Sequence, residues 1–269
     1  LSFLYPIKLG KEIEEEGYIR TKTDEFVIKE IKDNNDWKSI VATMNVESLE
    51  GQAWEHFDTT EQTIGQCLTL AVAGTGWTVQ VNGSTKKRTI RLTNCSSWEI
   101  IQQAKKTYRV EICFDTLNKI IKIYEIMGSD KGAYFIGSLN LKALEVQSTS
   151  YDYYTRMIAI GKDDLKVIVE NYQYSTKKKT LIWKDERYTD INSLRDDATL
   201  KLNEISKPYR AYSAGVIDLA NSSNKYKTIL AYGLGDTITL IDSYKGIKEK
   251  QRIAKIIEYP EEPERNTCE

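Results

Sequence analysis

Apolar and polar positions change rhythm several times along the chain, and each change marks an element. Up to Phe57 the rhythm is that of short strands. LSFLYPI, GYIRT, EFVIKEIKD and SIVATMNVE are apolar, β-branched runs broken at Gly, Asp and Asn, as in an antiparallel sheet. TTEQTIGQCLTLAVAGTGW then shifts to a helical period, with Ile64, Cys67, Leu68, Ala71 and Val72 on one stripe and Gly74 as its stop. Trp77 to Val81 alternates again as a strand. The order then repeats. Ser96 and Glu99 form the S-x-x-E capping box of a short helix running to about Lys106, and YRVEICF and KIIKIYEIM predict a hairpin around DTLNK. Residues 58–150 therefore read as an α/β insert of two helix-then-strand units, alike in pattern but not in letters.

From Tyr151 the strand rhythm returns in YYTRMIAIG, LKVIVENY and KTLIWKD. Ile191, Leu194, Ala198, Leu202 and Ile205 predict one amphipathic helix over about 190–206, which Pro208 ends. YRAYSAGVIDLA, DTITLID and QRIAKIIEY are expected to be strands. The expected organisation has three parts: a first β segment at 1–57, the α/β insert at 58–150, and a second β region with one helix at 151–269. The class is β-rich α+β.

Composition sharpens this picture. The 269 residues are 41% hydrophobic and 29% charged, enough apolar surface for real cores, and their length makes about two domains the expectation. With 38 basic and 39 acidic residues the net charge is −1, which supplies no general drive toward nucleic acid or an anionic membrane. No apolar run approaches the roughly 20 residues of a membrane-spanning helix, and no signal peptide is visible. Because the chain starts at Leu1 rather than Met, already in strand rhythm from Phe3 to Ile7, it is expected to be a piece of a longer protein. RNTCE is expected to open a further strand. Seventeen tyrosines against five phenylalanines suit half-buried strands and subunit contacts. Cys67, Cys95, Cys113 and Cys268 lack the paired spacing of a zinc site and read as thiols in a reducing compartment.

Candidate chemistry takes five forms. YGLGDTITLID has Gly233 and Gly235 spaced as in a dinucleotide loop, but the third glycine position is Ile238, and β-branched alternation follows where a helix is required. The glycines are expected to turn the chain into a strand, with Gly235 and Asp236 at its entry. His56 is the one histidine, so it alone could act as an imidazole base, and no GxSxG, HExxH or SxxK accompanies it. Asp163–Asp164 falls in a turn and Asp196–Asp197 on the expected helix surface. A glycosidase pair distant in sequence stays open. Asp190 and Asn192 alternate like calcium ligands, without the glycine and glutamate that loop needs. Lys177–Lys179 and Lys86–Arg88 are short basic turns, read as solvated loops, with a weakly basic lining for passing DNA as the alternative.

GYIRTKTDEFVIKEI, TLAVAGTGWTVQ, YYTRMIAIGKDDL, SLRDDATLKLNEISKP and LGDTITLID…QRIAKIIEYPEEP stand together in one order. In that order and spacing the chain resembles, over nearly its whole length, the tail-hub proteins of Gram-positive siphophages, a family also called prophage tail endopeptidases or minor structural proteins. The resemblance implies a baseplate-hub-like fold, in which two β-barrel-like domains per chain build a pseudo-sixfold ring in a homotrimer. Such a ring joins the tail tube, tape measure and distal tail protein to a central fibre or spike, and DNA leaves through it without specific binding. The implied location is the virion tail, assembled in the host bacterial cytoplasm. No catalytic, cofactor-binding or metal-binding residue is assigned, no cofactor is expected, and the chain is expected not to be an enzyme. The alternative is a tail-associated cell-wall hydrolase or glycan-binding module. Trp54, Trp77, Trp98 and Trp183 discriminate: a hub buries them, whereas a sugar binder sets at least two in an open groove beside carboxylates.

Overall fold

The computed structural model describes residues 1–219, 224–227, 229–259, 261–262 and 265–269. The chain divides into two compact units, Leu1–Met127 and Gly128–Glu269. Among the described residues, strands outnumber helices heavily and form six small sheets, each with an open strand order. The β-rich character expected from the sequence is thus present.

The first unit opens with strands β1 (Ser2–Pro6), β2 (Tyr18–Arg20), β3 (Glu25–Asn34) and β4 (Trp37–Met44), in the order β1-β4-β3-β2. Asn35, at φ 47°, makes the tight turn between β3 and β4, a left-handed position that Asn tolerates better than most residues. Alternate residues point inward, so Ile28, Ile40 and Ala42 form a small core lined by Phe3, Tyr5, Ile19 and Phe26. A short helix, α1 (Glu47–Glu50), follows.

Next comes a body with an internal two-fold character. Strand β5 (Ala53–Thr63) runs straight into helix α2 (Ile64–Ala71) and then β6 (Thr78–Asn82). Strand β7 (Lys87–Ser96) runs straight into helix α3 (Ser97–Tyr108), then β8 (Glu111–Asp115) and β9 (Ile120–Tyr124). Both helices start at a complete capping box, Thr63 with Gln66 and Ser96 with Glu99. Such a cap contributes about 1 kcal/mol. β5 and β7 pair antiparallel, Ala53 opposite Ser96 and Thr63 opposite Lys87, so the ribbon delivers one helix from each of its ends. Ile64, Cys67, Leu68 and Ala71 of α2 pack with Ile100, Ile101, Ala104 and Tyr108 of α3 in one core. Full burial of each large aliphatic side chain stabilises by roughly 1.5–3 kcal/mol. The Tyr108 hydroxyl donates to the Gln62 and Arg88 carbonyls at 2.7 and 3.2 Å and ties the far end of the ribbon to α3. β9 lies between β6, parallel, and β8, antiparallel. β5, through position 57, runs directly into α2, and β7 runs directly into α3.

The second unit opens with β10 (Asp130–Ile136), which pairs in parallel with β16 (Thr237–Asp242); β17 (Ile247–Arg252) completes that sheet. A second sheet has the order β11 (Leu141–Thr149), β15 (Tyr209–Val216), β19 (Thr267–Cys268), β18 (Ile256–Ile257). Phe135, Leu144, Ala214, Val216, Ile238 and Leu240 form the core these sheets share. A third sheet places β12 (Arg156–Ile160) between β13 (Lys166–Glu170) and β14 (Thr180–Lys184). Helix α4 (Ile191–Ile205) lays Leu194, Ala198 and Leu202 against it. QRIAKIIEY is not one strand. β17 begins earlier, at Ile247, and the chain breaks at Ile253–Lys255 before the two-residue β18. There Ile253 turns into the core while its N–H donates to the Asp236 carbonyl.

Candidate functional site

The glycine turn of YGLGD is where a nucleotide would have to sit. Gly235 takes φ +85°, a conformation side chains resist, and its N–H donates to the Ile253 carbonyl at 2.8 Å. The Asp236 N–H closes the turn on the Gly233 carbonyl at 3.1 Å, and the chain enters β16 with no helix. An anion does occupy this turn, but it belongs to the chain. The buried Asp236 carboxylate accepts the Ser129 N–H at 2.8 Å and the Lys131 ammonium at 2.9 Å. Burial opposes its ionisation, yet Lys131 and the Ser129 N–H prevail and hold its carboxyl below the ordinary value. Gly128, at φ +82°, passes so close that a Cβ there would stand 2.2 Å from the Gly235 carbonyl carbon. The arrangement is a clasp: a charged pair and two glycines back to back fix the first strand of the unit to a strand far along the chain. Gly128, Ser129 and Lys131 had no signal in the sequence, because Ser129 and Asp236 lie 107 positions apart.

His56 is exposed on β5, opposite Thr93. Cys67, Cys95 and Cys268 are buried and Cys113 is exposed. Burial pushes the Cys67 and Cys95 thiols up and carries that of Cys268 to about 11, away from nucleophilic thiolate. Asp163 and Asp164 are exposed and occupy left-handed turn positions at φ 51° and 57°. The sequence expectation for Asp196–Asp197 is half right. Asp196 is exposed, but Asp197 is buried, one residue before the inward-facing Ala198, because the Tyr188 hydroxyl donates to its carboxylate at 2.5 Å. Asp190 accepts the Ser193 N–H at 2.7 Å and caps α4, so DINSLRDD is a helix start in place of a cation loop. Among the described residues, no three His, Cys, Asp or Glu side chains converge as a metal site would require.

The four discriminating tryptophans face inward. Trp54 donates its indole N–H to Ser97 and Trp77 donates to Ser48, each at 3.0 Å. Trp98 stacks on Phe114 at 5.4 Å, and Trp183 meets Tyr188 edge-on at 5.5 Å under the Lys201 ammonium. A cavity of about 30 Å³ lies within the second unit between Phe135, Ala214, Ile238 and Leu240, the room of a single water. No helix among the described residues is long and apolar enough to cross a membrane.

Several solved structures share this architecture. Prophage tail protein gp18 of Listeria monocytogenes EGD-e matches with a TM-score of 0.72 at 19% identity, covering 95% of this chain and 79% of that one. The 43 kDa tail protein of prophage MuSo2 from Shewanella oneidensis gives 0.69 at 15% identity, over 95% and 83%. The tail protein from Neisseria meningitidis MC58 gives 0.65 at 9% identity, over 91% and 78%. At such identities the likeness is one of fold. No curated protein matches the sequence. The fold is therefore that of a prophage tail protein. Residues 129–269 match the prophage endopeptidase tail family and residues 53–124, which are strands β5 to β9, match the prophage endopeptidase tail domain. The chain belongs to the prophage endopeptidase tail family. Its segment 129–269 contains no histidine.

Proposed function

We propose that the chain is a hub component of a phage tail tip, joining the tail tube and distal tail protein to a central fibre or spike. In this reading it is a structural part without catalysis. Three copies form a ring around a channel for DNA exit, and the β parts at 1–57 and 151–269 supply two barrel-like positions per copy. The observation that carries the reading is the direction of the aromatic side chains. Trp54, Trp77, Trp98 and Trp183 support cores in place of an open sugar-binding groove. His56 on its exposed strand has neither a nucleophile elbow nor a zinc motif beside it in sequence. The many open sheet edges are the kind that natural proteins cover by lateral contact. Near-zero net charge lets copies approach closely. Sedimentation equilibrium across a concentration series, followed by electron microscopy of the assembled species, tests it. A threefold ring is expected; a single copy at every concentration, or a ring without a central channel, refutes it.

A further inference from the structure

Two tyrosine- and lysine-rich loops of the second unit fold onto one surface. The fully buried Thr155 builds it: its hydroxyl donates to the Lys177 carbonyl at 2.7 Å and accepts the Lys179 N–H at 3.0 Å. The Lys179 ammonium reaches the Ser150 and Tyr151 carbonyls at 3.4 and 3.2 Å and lies 4.2 Å from the Tyr153 ring centre. Tyr153 meets Tyr174 edge-on at 6.0 Å. Tyr209 sits opposite Thr149 in the β11–β15 ladder and joins the same surface. The tyrosines are not core residues: Tyr151 is 88% exposed, Tyr209 68% and Tyr174 56%.

The charge here is one-sided. Lys177, Lys178 and Lys207 are exposed and make no ion pair among the described residues. The neighbouring acids are mostly engaged, Glu170 with Arg156 at 3.1 Å and Glu249 with Arg210 at 3.4 Å. With Lys179, four lysines stand beside two exposed carboxylates, Asp152 and Glu204, on a chain whose overall charge is −1.

We propose that this surface binds the sugar–phosphate backbone of nucleic acid, without sequence preference. Lysines meet phosphates, and the exposed tyrosines supply hydroxyl donors and flat faces beside the sugars and bases. The patch presents rings and ammonium groups but no aliphatic pocket, a combination suited to a phosphodiester strand more than to an acidic peptide. The inference goes beyond the hub reading and stands or falls separately from it.

Fluorescence anisotropy with a labelled 20-base-pair duplex and its single strand tests the idea. Four phosphate contacts give a log–log salt slope near −3.6 for the duplex, about a 150-fold loss of affinity between 50 and 200 mM salt. The combined variant Lys177→Ala, Lys178→Ala, Lys207→Ala is expected to bring the slope to about −0.9, since three contacts are lost. A control variant removing Lys8, Lys11 and Lys22, exposed lysines of the other unit, should leave it unchanged. Tyr174→Ala should weaken the single strand more than the duplex. Absence of binding at 50 mM salt, equal loss in the control variant, or equally strong capture of polyglutamate would each overturn the assignment.

Discussion

Replacing Gly128 by alanine is the sharpest challenge to the clasp. The added Cβ would stand 2.2 Å from the Gly235 carbonyl carbon, 2.3 Å from its oxygen and 2.5 Å from the Asp236 nitrogen, all backbone atoms with no side-chain freedom to yield. The position also has φ +82°, where an L side chain costs about 1–2 kcal/mol. Forcing the two backbones apart adds about 1–3 kcal/mol. Together these make about 2–5 kcal/mol, or roughly 8–20 °C in the melting temperature of a unit of this size. Gly132 is the internal control: its φ is +78°, yet a Cβ there meets nothing within 4 Å. Gly132→Ala should therefore lose only the conformational term, about 4–8 °C. Differential scanning calorimetry of the two variants separates the contributions. If Gly128→Ala melts no lower than Gly132→Ala, the close approach is not a constraint and the reasoning fails.

Three more outcomes are expected. Asp236 has a lowered folded-state pKa, so its contribution is complete above the unfolded value near pH 4 and is lost as pH falls through the folded value. Chemical denaturation should show Asp236→Asn less stable than the parent at pH 7, with the gap closing in acid; a gap independent of pH would remove the Lys131 pair as its cause. Asp197→Ala should cost about 1–3 kcal/mol by removing the carboxylate that the half-buried Tyr188 hydroxyl donates to, whereas Asp196→Ala should stay within about 0.5 kcal/mol, as read from urea midpoints. In native protein a thiol reagent should modify Cys113 first, and Cys67, Cys95 and Cys268 only on unfolding; early labelling of Cys268 would contradict its burial.

Much of the local structure is legible in the letters. The stripe Ile64-Cys67-Leu68-Ala71-Val72 is wholly buried, and S-x-x-E at Ser96 is a working capping box, because helix start signals act within one turn. Strand β7 is also written in the alternation of RTIRLT, and Asn94 at φ 51° interrupts the rhythm just before the helix. Elements stabilised by distant partners are harder to read. β10 is a short glycine-containing run, DKGAYFI, whose identity as a strand depends on β16 about a hundred positions later. Asp197 looks like any exposed acid until Tyr188 is folded above it. The clasp is likewise half visible, its glycines and Asp236 readable as a turn, its Ser129 and Lys131 not.

The parallel pairing of β10 with β16 also sets an order of events during synthesis. The first unit contains all its own strand partners and can close as soon as it leaves the ribosome. β10 emerges next and finds no partner, since Ser129 must wait for Asp236, 107 residues later. At translation rates of about 5–20 residues per second, that is a delay of roughly 5–20 s. Throughout it the apolar AYFI of β10 stays unpaired, the kind of nascent segment that chaperones hold. The clasp closes late, so weakening it should speed unfolding while leaving the folding rate nearly untouched.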